Sequence, residues 1–126
     1  MTEATQKPDH RRRAWVRGQM AESFAALALR LKGYRILERQ YRTPVGEIDI
    51  VARRHDCLVF VEVKARNDER NAREAITPRQ QSRITRAAQV FVQRHPGEAA
   101  CQMRCDAVLV LPWRWPCHIP DAWRES

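Results

Sequence analysis

Asp49, Glu62 and Lys64 are the residues whose types and spacing could do chemistry. They lie in Gly46-Glu47-Ile48-Asp49-Ile50-Val51-Ala52 and Phe60-Val61-Glu62-Val63-Lys64, two stretches in which apolar residues alternate with charged ones. That alternation is the period of a half-buried strand. Carboxylates and a lysine are expensive to set beside a core unless they are paired or hold a metal. An Asp followed by Glu-x-Lys is what a metal-dependent phosphodiesterase needs: oxygen ligands for Mg²⁺ or Mn²⁺ and an ammonium to manage charge.

A tight turn at His55-Asp56 would make the two stretches a hairpin, with Asp49 opposite Glu62 and Glu47 opposite Lys64. Facing residues share one side of a sheet, with Cβ atoms roughly 4.5–5.5 Å apart. One face then carries Glu47, Asp49, Glu62 and Lys64. The other carries Ile48, Ile50, Ala52, Val59, Val61 and Val63. A register slip of one residue would destroy this separation.

Other elements must hold that hairpin. Met20, Phe24, Leu27 and Leu31 recur at helical spacing, with Ala21, Ala25 and Ala28 among them, so Gly18 to Leu31 reads as a helix that Gly33 caps. Glu22 stands in that helix beside Gly18, Ala26 and Leu29 and points to something inside the fold, with a salt bridge to an Arg as the plainer alternative. Strands are expected over 34–41, 47–53, 58–65 and 103–111. Residues 65–76 read as a mobile polar loop. Thr77-Pro78-Arg79-Gln80 reads as a capping-box start to a helix reaching His95, and Pro112 to Ser126 as irregular. The order α-β-β-β-α-β gives an α/β fold, a mixed β-sheet flanked by helices. Residues 1–13 are expected to be a disordered basic tail and 14–126 a single domain.

The chain has 126 residues, a formal net charge of +8 and 20 arginines against three lysines. A basic, Arg-rich surface suits polyanions. Arg79, Arg83 and Arg86 share one side of the second long helix, and Arg66, Arg70 and Arg73 lie in the polar loop. Trp113, Trp115 and Trp123 are better read as covers for a core edge or an oligomer contact than as base-stacking platforms. Cys57, Cys101, Cys105 and Cys117 lack C-x-x-C spacing and read as thiols of a reducing compartment. The N-terminus has no apolar signal segment and no run spans a membrane, so a cytoplasmic location and no membrane partner are expected.

Taken together, Gly18-x-x-Ala21-Glu22, Gly33-Tyr34, Tyr41-Arg42-Thr43, Gly46 to Ala52 and Val59 to Arg66 resemble the YraN-like bacterial proteins (UPF0102). The ordered set Glu22, Asp49, Glu62-x-Lys64 resembles the restriction-endonuclease-like nucleases, including archaeal-type Holliday junction resolvases. Gln40 stands where the family usually has Asn, Gln80 where Lys is frequent, and Arg104-Cys105-Asp106 in place of Arg-Phe-Asp. The resemblance implies a restriction-endonuclease-like fold and a Mg²⁺- or Mn²⁺-dependent endonuclease acting on DNA, with branched or junction DNA among its substrates. Asp49, Glu62 and the carbonyl of Val63 would hold the ion. Lys64 would orient or stabilise the attacking water, and Glu22 would hold a second ion or a metal-bound water. Arg66, Arg79, Arg83 and Arg86 would contact nucleic acid. Glu47 is a further candidate, though a surface ion pair explains it more simply. Junction cutting needs two active sites, which points to a homodimer. The alternatives are a nucleic-acid-binding module without catalysis and a structural or interaction protein.

Overall fold

The computed structural model describes residues 2–124, with side chains from Arg17 onward. Helix α1 spans Thr2–Leu31. The expected tail, 1–13, coincides with side chains outside the described residues. Gly33, at φ +92°, ends α1, and the Tyr34 N–H reaches back to the Leu29 carbonyl, a left-handed cap that glycine adopts without a Cβ penalty.

Five strands follow: β1 (Arg35–Thr43), β2 (Gly46–Arg54), β3 (Cys57–Ala65), β4 (Gln102–Val110) and β5 (Cys117–Trp123). They form one sheet in sequence order, antiparallel except for the parallel pair β3–β4. The crossover between β3 and β4 carries α2 (Glu69–Glu74), α3 (Pro78–Arg94) and a 3-10 turn at Pro96–Glu98. The architecture is the mixed sheet flanked by helices that the sequence predicts, with two additions. Residues 69–74, expected as loop, form a short helix. Asp68 caps it, and Arg70–Glu74 and Arg73–Glu69 brace it at helical spacing. Residues 117–123, expected as irregular, form the edge strand β5.

A helix covers each face of the sheet. Ala25, Ala26 and Leu29 of α1 pack on Ile50, Ala52, Val59, Val61 and Val108. Ile84, Ala87, Ala88 and Phe91 of α3 pack on Ile48, Val51, Leu58, Phe60 and Leu109. The small residues of α1 therefore meet the sheet, while Met20 and Leu31 stay 66% and 70% exposed. The tryptophans divide: Trp123 closes the edge of the α3-side core, Trp113 is fully exposed, and Trp115 meets Phe24 edge to face.

Three corrections concern the hairpin. It is buried on both faces, because helices lie on both sides, rather than having one apolar face. Ile48 belongs to the α3 side and Ile50 to the α1 side, although residues i and i+2 of a regular strand share a face. The expected pairs Asp49–Glu62 and Glu47–Lys64 are replaced by a divergence of the strands. Pairing of β2 with β3 keeps the predicted register from Arg54↔Cys57 to Ile50↔Val61 and stops there.

Candidate active site

A wedge-shaped gap opens where β2 leaves β3. Beyond Ile50 and Val61, β2 continues along β1 to Gly46, while β3 continues along β4 to Ala65. The cause lies in a switch of faces shared by two strands. On β1, Arg39 reaches Glu22 of α1, yet Tyr41 stacks edge-on against Phe91 of α3. Between them Gln40 has φ +50°. On β2, Ile50 and Ile48 part in the same way, with Asp49 between them. Arg39 pairs with Ile50 and Tyr41 with Ile48, so both strands turn over at the same level. Asp49 is thereby left at the throat of the gap. Its Oδ2 accepts the Val63 N–H at 2.8 Å, a donor with no backbone partner on β2 at this level.

Three of the predicted site residues come together here. Glu62 is 9% exposed, with the Asp49 carboxyl close enough to bear on its protonation. Burial pushes the Glu62 carboxyl up, and the neighbouring Asp49 carboxyl pushes it further. Lys64 opposes this with its positive charge, while Glu47 adds to it. Lys64 itself is half-buried, two residues along the same side of β3.

Glu22 comes from α1 and is 6% exposed. Arg39 Nε donates to its Oε1 at 3.0 Å, and Gln40 Nε2 lies 3.4 Å from Oε2. Burial raises its carboxyl, Arg39 lowers it, and the charge of Asp49 raises it again. Glu22 therefore borders the same electrostatic site, with its oxygens held by β1. Arg39 and Gln40 are the residues that the sequence did not single out for this role. The one signal was that the resemblance leads to an expectation of Asn, a residue enriched at positive φ, where Gln40 stands.

Glu47 is exposed and lies 3.7 Å from Arg42, a surface ion pair. Arg66 is exposed just past β3, with its Nη1 on the Ala65 carbonyl. Arg70 and Arg73 are committed to Glu74 and Glu69 on α2. Arg79, Arg83 and Arg86 line a separate cleft with the tip of the β1–β2 hairpin. Gln80, at the expected capping-box position, leaves its Oε1 buried without a partner, so only Thr77 performs its half of the cap.

The residues at the gap fit a hard divalent cation in part. Among the described residues no group of three His, Cys, Asp or Glu side chains gathers to hold a metal. Two carboxyls, the buried Glu62 and the half-buried Asp49, lie together at the gap. Mg²⁺ is commonly held by one or two carboxylates with waters filling the remaining positions. The four cysteines form no disulfide. Among the described residues no helix is long and apolar enough to cross a membrane.

A sequence model of the family described as uncharacterised protein family UPF0102 matches residues 21–110, which include Glu22, Asp49, Glu62 and Lys64. A UPF0102 protein of Methylocella silvestris is 56% identical over 114 residues, covering 90% of this chain and 92% of its own. Counterparts in Parvibaculum lavamentivorans and Paramagnetospirillum magneticum are 52% and 54% identical, over 85% and 86% of this chain and 80% and 87% of theirs. With the gap, its carboxylates and its lysine all inside the matched span, the chain belongs to the UPF0102 family.

Proposed function

We propose that this protein is a metal-dependent endonuclease acting on DNA, of the restriction-endonuclease-like kind, with branched or junction DNA as the form to test first. The observation that carries the reading is the place where two strands part: Asp49 there accepts the Val63 N–H, next to the buried Glu62 and with Lys64 two residues on along the same strand. Placing the half-buried Asp49 next to the buried Glu62 is unfavourable for the fold by itself, since neighbouring acids disfavour each other's charged form. Asp49, Glu62 and the Val63 carbonyl would hold Mg²⁺ or Mn²⁺, which when bound supplies a Lewis acid for a phosphate oxygen and lowers the pKa of a coordinated water. The Lys64 ammonium orients the attacking water or neutralises charge developing on the phosphate. Glu22, fixed by Arg39 and Gln40, adds a carboxylate at the margin of the site. The net charge of +8 favours a polyanionic substrate. Cutting a junction symmetrically calls for two copies of the site, so a homodimer is part of the reading.

The test incubates purified protein with labelled four-way junction, flap, duplex and single-stranded DNA in EDTA, Mg²⁺ or Mn²⁺. Metal-dependent cleavage is expected, and Asp49→Ala and Lys64→Ala should each lower it by about 100-fold or more with the thermal melt retained. Binding without cleavage in either metal would reject the nuclease and leave a non-catalytic nucleic-acid-binding module.

A further inference from the structure

A second concave surface adjoins the start of β2. Arg79, Ser82, Arg83 and Arg86 of α3 line a cleft of about 500 Å³ with Pro44 and Val45 of the hairpin tip. The three arginines are exposed, and among the described residues none has a carboxylate within ion-pair distance. Arg86 reaches only Ser82 Oγ, at 3.4 Å. The arginines of α2, in contrast, are each neutralised by a glutamate on their own helix. Unpaired guanidinium forks converging on one cleft suit phosphate oxygens, which they engage two at a time. From Arg79 to Arg86 the helix advances by seven residues, about 10 Å, so the row is long enough to lie along more than one backbone phosphate.

The cleft has a fixed place relative to the carboxylates. A Cβ on Gly46 would lie 2.6 Å from the Arg83 carbonyl oxygen and 3.1 Å from its carbon. Only glycine lets this turn of α3 rest directly on the first residue of β2. Asp49 is three residues further along the strand, about 10 Å. A stacked nucleic-acid strand covers that distance in about three nucleotides at 3.4 Å each.

We propose that this cleft seats the backbone phosphates of a nucleic-acid strand about three nucleotides from the bond presented to Asp49 and Glu62, and that Gly46 sets the spacing. The seat stands on its own geometry. The spacing rests on the nuclease reading above.

The experiment measures the salt dependence of binding, in EDTA, to a labelled 12-nucleotide single strand and to the corresponding duplex. The variant Arg79→Gln/Arg83→Gln/Arg86→Gln is compared with Arg30→Gln/Arg35→Gln/Arg114→Gln, which removes equal charge from exposed positions elsewhere. The slope of log affinity against log salt should shrink by about 2 for the single strand and about 3 for the duplex in the first variant, and by less than about 1 in the second. Equal slopes in the two variants would overturn the seat. So would stabilisation of the wild-type melt by inorganic phosphate as large as that by the 12-mer, since a single ion would then be the ligand. On a substrate that the wild type cuts, Gly46→Ala should shift or scatter the cut position while binding persists. An unmoved cut at unchanged rate would overturn the spacing role. If the wild type cuts nothing and the first variant still loses its slope, the nuclease reading fails and the seat survives.

Discussion

Glu62 is held in a form that the unfolded chain does not favour. Its carboxyl is raised above the ordinary 4.5 by burial and by Asp49, so the folded protein keeps a proton that the unfolded chain has released. Stability without metal is therefore expected to fall as pH rises above about 4.5, by the linkage between proton uptake and folding. Thermal melts in EDTA from pH 5 to 8 check this, and a flat profile would contradict it. Glu62→Gln replaces the acid with a neutral shape and should stabilise the metal-free protein at neutral pH by on the order of 1–3 kcal/mol while removing metal-dependent cleavage. Loss of both stability and cleavage would mean that Glu62 serves the fold alone. Asp49, Glu62 and Lys64 were legible in the sequence because charges at strand period conflict with burial. Arg39 and Gln40 were not, because their part depends on a backbone angle that composition does not encode.

Among the elements, the turnover of β1 and β2 at Gln40 and Asp49 builds the site. Gln40 occupies the left-handed region at φ +50°, which costs most side chains roughly 1–2 kcal/mol and Asn less. Gln40→Asn should raise stability by about 0.5 kcal/mol, a gain of about 2 °C in the melt. A drop would show that the 3.4 Å contact of Gln40 with Glu22 outweighs backbone relief. The hairpin register was readable because one apolar pattern and one two-residue turn left few choices. The divergence of the strands was not, since the alternation of residues 46–52 looks regular while the faces that they meet exchange at Asp49. α2 leaves little trace in the sequence because it is six residues long and buries only Ala72. β5 has a weak strand pattern because it contains Pro120 and exposes much of its length; its partner strand, not its own propensity, makes it a strand.

At the scale of the whole molecule, one buried acid joins three regions. Asp106 accepts hydrogen bonds from Arg104, from His118 of β5 and from the Asp121 N–H, and Arg104 also reaches Tyr34 beyond α1. Burial alone would raise Asp106, but the His118, Arg104 and Asp121 hydrogen bonds prevail and hold it down to about 2. A depressed carboxyl stabilises the fold above its unfolded range and loses that contribution as it takes up a proton. Stability on the order of 2 kcal/mol should disappear between about pH 4 and pH 2. Asp106→Asn should flatten that acid limb and cost about 3 kcal/mol at neutral pH by leaving Arg104 without its counter-charge. An acid limb unchanged in the variant would assign the loss to other carboxyls. The Arg104-Cys105-Asp106 triplet is visible in the sequence but its partners are not, because Tyr34, His118 and Asp121 are distant in the chain and meet it only through the fold.

Both rims of the sheet are irregular. β1 shifts register between Ile36 and Glu38 and turns at Gln40; β5 carries Pro120 and a left-handed Asp121, opposite a shift between Cys105 and Ala107. A proline offers no amide hydrogen, and a kinked edge gives an incoming strand no straight row of donors and acceptors. The deformation that opens the candidate site on one side of the sheet therefore has a second consequence: both rims are poor templates for a sixth strand from a neighbouring molecule.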